Sequence, residues 1–156
     1  MSETSKVVVV TGASAGIGAA LARALGARGD CVVLAARHRE ELERLAREIG
    51  DHALAVPTDV TVRADVERLR DAALERFGHV DVWVNNAGRG IVRPALELTD
   101  EDFDEIMAVN VKSALYGAQA IVPHFRSRGR GHLINVSSFL GRVPLATIRR
   151  SSGLGR

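Results

Sequence analysis

A doubly wound α/β fold, a parallel sheet covered by helices on both faces, is predicted by three observations in this 156-residue chain. Strand-like runs alternate with stretches of helical periodicity. The stretches between successive strands are long enough for crossover helices, which makes the strands parallel. The first run, Val7-Val8-Val9-Val10, also passes directly into a glycine-rich turn, Thr11-Gly12-Ala13-Ser14-Ala15-Gly16-Ile17-Gly18, that opens a helix.

Each element has a local reason. Lys6 to Val10 reads as strand one, and Ile17, Leu21 and Leu25 mark one face of a helix running to about Arg28. Cys31 to Ala36 is strand two. Leu42, Leu45 and Ile49 stripe a second helix that Gly50 ends, and His52 to Val56 is a third strand before Pro57. Val62, Val66, Leu69 and Ala73 stripe a third helix closed by Gly78; Asp81 to Val84 is strand four, stopped by Asn85-Asn86-Ala87-Gly88. After a loop containing Pro94, Thr99 is suited to cap a helix whose first turn holds Glu101 and Asp102, acids at the positive helix end.

A longer helix follows, with Val111, Leu115, Ala118, Val122 and Phe125 at heptad-like spacing, ended by Arg128-Gly129-Arg130-Gly131. That stripe is compatible with a homo-oligomer contact and with a core-facing role. Leu133 to Val136 is strand five. From Thr147 to Arg156 neither period continues, so residues 147 to 156 read as an unstructured tail after one domain over residues 1 to 146.

Bulk properties narrow the function. A single domain of this length buries roughly 70% of the surface its unfolded chain exposes. Hydrophobic content of 46% with 26% charged residues suits a soluble protein. The four-valine run is too short to cross a bilayer, and Met1 to Lys6 leads into no signal-type apolar region, so a cytoplasmic protein without membrane contact is expected. Cys31 is the sole cysteine, which excludes an internal disulfide, and no Cys/His spacing suits a metal.

The pI near 9.2 suggests nucleic acid, but the charge is misplaced for it. Arg142, Arg149, Arg150 and Arg156 lie after Ser138 with no acid among them; without these four the net +2 becomes −2 for residues 1 to 138. Other arginines sit among acids, as in Arg39-Glu40-Glu41-Leu42-Glu43-Arg44, the pattern of a solvated helix face. No nucleic-acid partner is expected.

A glycine pattern by itself also makes ordinary turns; here its context between a strand and an apolar-striped helix points to a dinucleotide. Gly12 permits the tight turn, Gly16 a close backbone approach to a pyrophosphate, and Gly18 close packing of helix on sheet. Arg37 ends strand two, 19 residues after Gly18, near the offset at which such folds read the ribose. An acid there would accept from the 2′-hydroxyl of NAD, whereas a guanidinium suits a 2′-phosphate, so NADP is favoured over NAD. His38 and Arg39 add positive potential, and the alternative for Arg37 is a solvated side chain.

Thr11-Gly-x-x-x-Gly16-x-Gly18, Asp59-Val60 after strand three, Asn86-Ala87-Gly88 after strand four, Asn110 between two helices and Ser138 after strand five resemble the short-chain dehydrogenase/reductase family in order and spacing over residues 6 to 145. Singly, Asp59 could cap a helix, Asn86 form a turn, Asn110 bend a helix and Ser138 be a loop hydroxyl. The resemblance implies a Rossmann-type sheet binding NADP. Gly12, Ser14, Gly16, Ile17 and Gly18 would surround the pyrophosphate, Arg37 the 2′-phosphate, and Asp59 with Val60 the adenine. Asn86, Ala87 and Gly88 would lie beside the adenosine ribose and the nicotinamide, Ser138 would hold the carbonyl of a small alcohol or ketone substrate, and Asn110 would support a proton-relay water.

The chain departs from that family in one respect. The family completes its site with Tyr-x-x-x-Lys, which counted from Ser138 would fall about a dozen residues on, near Ser151 and Gly155. Lys6 and Lys112 are the only lysines and Tyr116 the only tyrosine. Six residues beyond Asn110 on a helix, Tyr116 is turned by roughly 240° and reads as a packing residue. The expectation is a truncated or frame-shifted reading after about Leu145, nearly inactive, with a sheet incomplete at its C-terminal side and strand five left as an edge.

Overall fold

The computed structural model describes residues 5–91 and 94–138. Strand β1 spans Val7–Thr11, helix α1 Gly16–Ala27, β2 Cys31–Ala36, α2 Arg39–Ile49, β3 Ala53–Pro57, α3 Arg63–Phe77 and β4 Val82–Asn85. After a 3₁₀ turn at Ala95–Glu97 come α4, Asp100–Met107, a π-helical turn at Ala108–Lys112, α5, Ser113–Arg128, and β5, His132–Asn135. The expected tail lies outside the described residues.

All five strands are parallel, in the order β3-β2-β1-β4-β5. Chain order runs outward from β1 in one direction and then, from β4, in the other, which opens a crevice above the β1/β4 boundary. Alternation along the strands divides the core. Val7 and Val9 with Val33 and Ala35 face one way and meet Val66, Leu69 and Ala73 of α3 and Ile121 and Phe125 of α5. Val8 and Val10 with Val32 and Leu34 face the other way and meet Ala19 and Ala22 of α1 and Leu42 and Leu45 of α2. Strands buried on both faces read as continuous Val-rich runs, and Val9, Val10, Val32 and Val33 are fully buried.

Boundaries differ from the expected ones by one residue at four strands. Thr11 joins β1, Asn85 joins β4, β5 starts at His132 rather than Leu133, and β3 runs Ala53–Pro57 rather than from His52. Pro57 is tolerated because β3 is an edge strand, where a missing N–H breaks no ladder on the open side. The Thr99 cap forms as a reciprocal box. Asp102 N donates to Thr99 Oγ1 at 3.2 Å, and Thr99 N donates to Asp102 Oδ2 at 3.1 Å.

The stripe expected on the last helix is corrected. Val111 and Leu115 are about half exposed, while Ser113, Gly117, Ala120, Ile121 and Phe125 are buried. Within the regular turns of α5 the buried face is set by what packs there, with Ser113, Gly117 and Ala120 turned inward rather than the larger Leu115. Small residues then suit the seam: a Cβ on Gly117 would lie 2.3 Å from Asn85 Oδ1 and 2.7 Å from Trp83 Nε1. On α1 the face also turns, with Ile17 69% exposed and Gly18, Ala19 and Ala22 buried. Tyr116 packs against the α3 and α5 side of the core under the Arg63 guanidinium, 4.4 Å above its ring.

Candidate dinucleotide-binding cleft

A cleft of 630 Å³ lies at the carboxyl ends of the strands. It is built from four segments: the turn after β1, the residues after β2, those after β3, and the loop after β4 facing the end of α4.

The turn after β1 is held open by backbone geometry. Gly12 has φ +70° and Gly16 φ +54°, the left-handed region that glycine enters without penalty. Nothing stands within 4 Å of where a Gly16 Cβ would be, so a ligand can approach the backbone there. Gly12 is the reverse case. Its Cβ would lie 2.8 Å from Ala87 Cα, so its lack of a side chain lets the β4 loop rest on the turn. Gly18 lines no part of the cleft; a Cβ on it would sit 2.3 Å from the Gly12 carbonyl oxygen and 2.6 Å from Asn86 Nδ2. It seats the amino end of α1 tightly beneath the turn. Helix α1 has no side chain capping its first amides, which leaves those N–H groups and the positive end of the helix facing the cleft side of the turn.

Thr11 organises the junction between the turn and the loop after β4. Its hydroxyl accepts the backbone N–H of Asn86 and of Ala87, each at 3.0 Å, and donates to the Val84 carbonyl at 3.3 Å. Asn86 Nδ2 in turn donates to the Thr11 carbonyl at 2.8 Å. Asn86 is therefore more than a turn residue: its amide clips the end of β4 to the end of β1. Below it, Asn85 Oδ1 accepts the Trp83 indole N–H at 2.8 Å and Asn85 Nδ2 donates to Asn135 Oδ1 at 2.9 Å, tying β4 to β5.

On the other side of the turn, Arg37 and His38 follow β2 and are exposed to the cleft. Thr58, Asp59, Val60 and Thr61 follow β3. Asp59 Oδ1 accepts from the Thr61 hydroxyl at 2.7 Å and the Thr61 amide at 2.9 Å, an Asx turn rather than a helix cap. The Thr61 hydroxyl, its amide and the nearby Arg37 charge outweigh burial and hold the Asp59 carboxyl below the usual carboxylate range.

Asn110 sits in the π turn and does not line the cleft. Its Oδ1 accepts the Arg89 N–H and its Nδ2 donates to the Arg89 carbonyl, both at 2.8 Å. The amide thus grips one residue of the β4 loop through both its N–H and its carbonyl. Ser138 follows β5, exposed and outside the cleft lining. Of the residues expected to bind cofactor, Gly12, Ser14, Gly16, Ile17, Arg37, Asp59, Val60, Asn86, Ala87 and Gly88 converge on this one cleft.

Sequence reasoning passed over the Thr11 hydroxyl hub and the pair Arg89–Glu105, which also lines the cleft. Thr11 carried a signal, a polar residue on an otherwise apolar strand face. Arg89 and Glu105 are 16 residues apart in different elements and carried none. Among the described residues no group of His, Cys, Asp and Glu is placed to hold a metal ion, and no helix is long and apolar enough to cross a membrane.

An open parallel sheet that reverses order beside a glycine turn, with its cleft at the strand carboxyl ends, defines the Rossmann class of α/β domain. Within that class the chain belongs to the short-chain dehydrogenase family, whose model matches residues 6–149. It is 37% identical over 142 residues to an uncharacterised oxidoreductase of Staphylococcus epidermidis, covering 91% of this chain and 62% of that protein. Its structure superposes on a 3-ketoacyl-(acyl-carrier-protein) reductase from Brucella melitensis complexed with NADH, with a TM-score of 0.82 and 40% identity over 85% of this chain and 57% of that one. It also resembles a serine dehydrogenase complexed with NADP+, with a TM-score of 0.85 and 33% identity over 90% of this chain and 57% of that one. The chain thus spans about three-fifths of the length of the relatives it matches.

Proposed function

We propose that this chain is the cofactor-binding part of an NADP-dependent oxidoreductase that interconverts a hydroxyl and a carbonyl on a small molecule. The observation that carries the reading is the uncapped amino end of α1 beside the open Gly16, at the point where the sheet reverses. Orphan amides, a helix dipole and a backbone without Cβ atoms suit a diphosphate. Neighbours of the same fold hold NADH or NADP+, which supports a nicotinamide dinucleotide without choosing between them.

The choice of NADP rests on Arg37. Its exposed guanidinium follows β2 beside the cleft, where it would bond a 2′-phosphate in two places. Asp59 and Val60 would frame the adenine, and Asn86, Ala87 and Gly88 the ribose and nicotinamide. The nicotinamide supplies the hydride chemistry when bound. Ser138 would hold the substrate carbonyl, and Asn110 would support a relay water from the π turn, its own amide being engaged with Arg89.

Titration of the protein with NADPH and NADH tests the cofactor assignment. Wild type should prefer NADPH, and Arg37→Glu should lose about 10- to 100-fold in NADPH affinity, the worth of a charge-assisted contact. An unchanged preference in the variant would remove Arg37 from the phosphate site.

A second reading, a non-catalytic dinucleotide-binding protein, is favoured by one observation: these 156 residues hold no Tyr-x-x-x-Lys. Tyr116, the sole tyrosine, is packed between α5 and α3 and absent from the cleft. Loss of a general acid costs about 10²- to 10⁴-fold, so we expect this chain to be nearly inactive on its own. NADPH absorbance with a panel of ketones separates the readings, because binding without oxidation supports the second and turnover the first.

A further inference from the structure

We propose that Arg89 is a second anion anchor of the cleft, held in reserve by Glu105 and given up to a phosphoryl group of the bound dinucleotide. The inference rests on the reading of the cleft as a dinucleotide site.

Arg37 follows β2 and Arg89 follows β4, so the two guanidinium groups flank the glycine turn on opposite sides of β1. Arg37 has the cleft in front of it. Arg89 is instead ion-paired through its guanidinium to Glu105 near the end of α4, and both side chains line the cleft wall. The backbone of Arg89 cannot drift, because Asn110 holds its N–H and its carbonyl at 2.8 Å each. Only the outer part of the side chain is left to change partner.

The pair is built to be exchanged. Its side chains are 47% and 40% exposed, and an ion pair so open to water holds weakly. A phosphoryl oxygen pair offers a guanidinium the same two-point geometry with more charge. Charge balance favours such an exchange. Among the described residues lining the cleft, the fixed charges are Arg37, Asp59, Arg89 and Glu105, which cancel. Asp59 is committed to its carboxylate by Thr61, so Glu105 is the acid free to move aside when an anion enters. Its neighbours Glu101, Asp102 and Asp104 on α4 add no cation to replace Arg89.

The test is calorimetric titration of NADP+ into wild type, Glu105→Gln, Arg89→Gln and the double variant, at low and at moderate salt. Glu105→Gln should bind about fivefold tighter, near the limit of what a half-exposed pair opposes. Arg89→Gln should bind about tenfold weaker, and the double variant should match Arg89→Gln, with melting temperatures lowered by no more than about 2–4 °C in all three. Glu105→Ala should act as Glu105→Gln does. Tightening that survives in the double variant would overturn the proposal, since the carboxylate would then repel the ligand without involving Arg89. Equal affinity of wild type and Glu105→Gln would overturn it also while leaving the dinucleotide site standing. Absence of NADP+ binding by wild type would instead remove the cleft reading and this inference together.

Discussion

Removing the Thr11 hydroxyl should loosen the junction on which the cleft depends. Thr11→Val keeps the shape and the β-branch and deletes three hydrogen bonds: the two amides of Asn86 and Ala87 lose their acceptor, and the Val84 carbonyl loses a donor. Thr11 itself is 3% exposed, so water cannot take the hydroxyl's place at its own position. An orphaned buried donor costs about 1–3 kcal/mol. Asn86 and Ala87 are half-buried, which puts each near the lower end, about 1–1.5 kcal/mol, and the pair near 2–3 kcal/mol. At about 2–4 °C per kcal/mol for a chain of this size, the melting temperature should fall by about 5–10 °C. Thr11→Ser retains the hydroxyl and loses one methyl, worth about 1 kcal/mol, and should melt between the two. Circular dichroism melts of the three proteins measure this, and NADP+ titration should show weaker binding by Thr11→Val because Asn86 to Gly88 lose their registration on the glycine turn. A Thr11→Val protein melting within about 1 °C of wild type, or a Thr11→Ser protein melting below it, would show that the hydroxyl is not the organising group.

Two further outcomes follow from the packing and titration of the opposite side. Gly117→Ala places a Cβ against Asn85 Oδ1 and Trp83 Nε1, groups already bonded to each other and to β5; overpacking there should cost about 1–3 kcal/mol and shift the emission of Trp83, the sole tryptophan, while an unchanged spectrum and melt would show that α5 simply moves outward. His124 Nε2 accepts the Val80 N–H at 3.2 Å, and burial with the nearby Arg128 charge lowers its pKa below 6.5. The fold therefore prefers neutral His124, so stability should be constant above pH 6.5 and decline as pH falls below it, where the unfolded chain takes up the proton first. Asp81 adds a later loss. Burial raises its pKa, but the Val7 amide, Arg128 and His79 together outweigh burial and hold it below 3.8, so its contribution disappears only as pH falls through that lowered value. Melts of His124→Gln, which keeps an acceptor, should lose the first decline and retain the second; an unaltered first decline would assign it elsewhere.

Much of the fold was legible because the strands are buried on both faces. Val7 to Val10 and Cys31 to Ala36 read as unbroken apolar runs, and burial of both sides leaves no other arrangement for them than a sheet between helices. The glycine turn was legible for a similar reason: Gly12 and Gly16 stand at positive φ, which few other residues tolerate. The face of α5 was not legible. An apolar count passes over small residues, and the seam of α5 against β4 is made by Ser113, Gly117 and Ala120, because a Cβ on Gly117 would already meet Asn85 and Trp83. Gly18 reads in sequence both as packing and as part of the pyrophosphate surround; it lines no part of the cleft, and the atoms it packs against, the Gly12 carbonyl and Asn86 Nδ2, come from two other segments.

By itself, the order of residues determined the alternation of strands and helices, the parallel sheet, the turn that opens α1 and the missing Tyr-x-x-x-Lys, because period, glycine conformation and residue type are local properties. The tertiary structure alone decided which side chains share the cleft: that Thr11 holds the Asn86 loop, that Asn110 grips Arg89, and that Arg89 meets Glu105. Those contacts join residues 16 to 75 positions apart. Their partners are selected by strand order and helix register, which no single segment encodes.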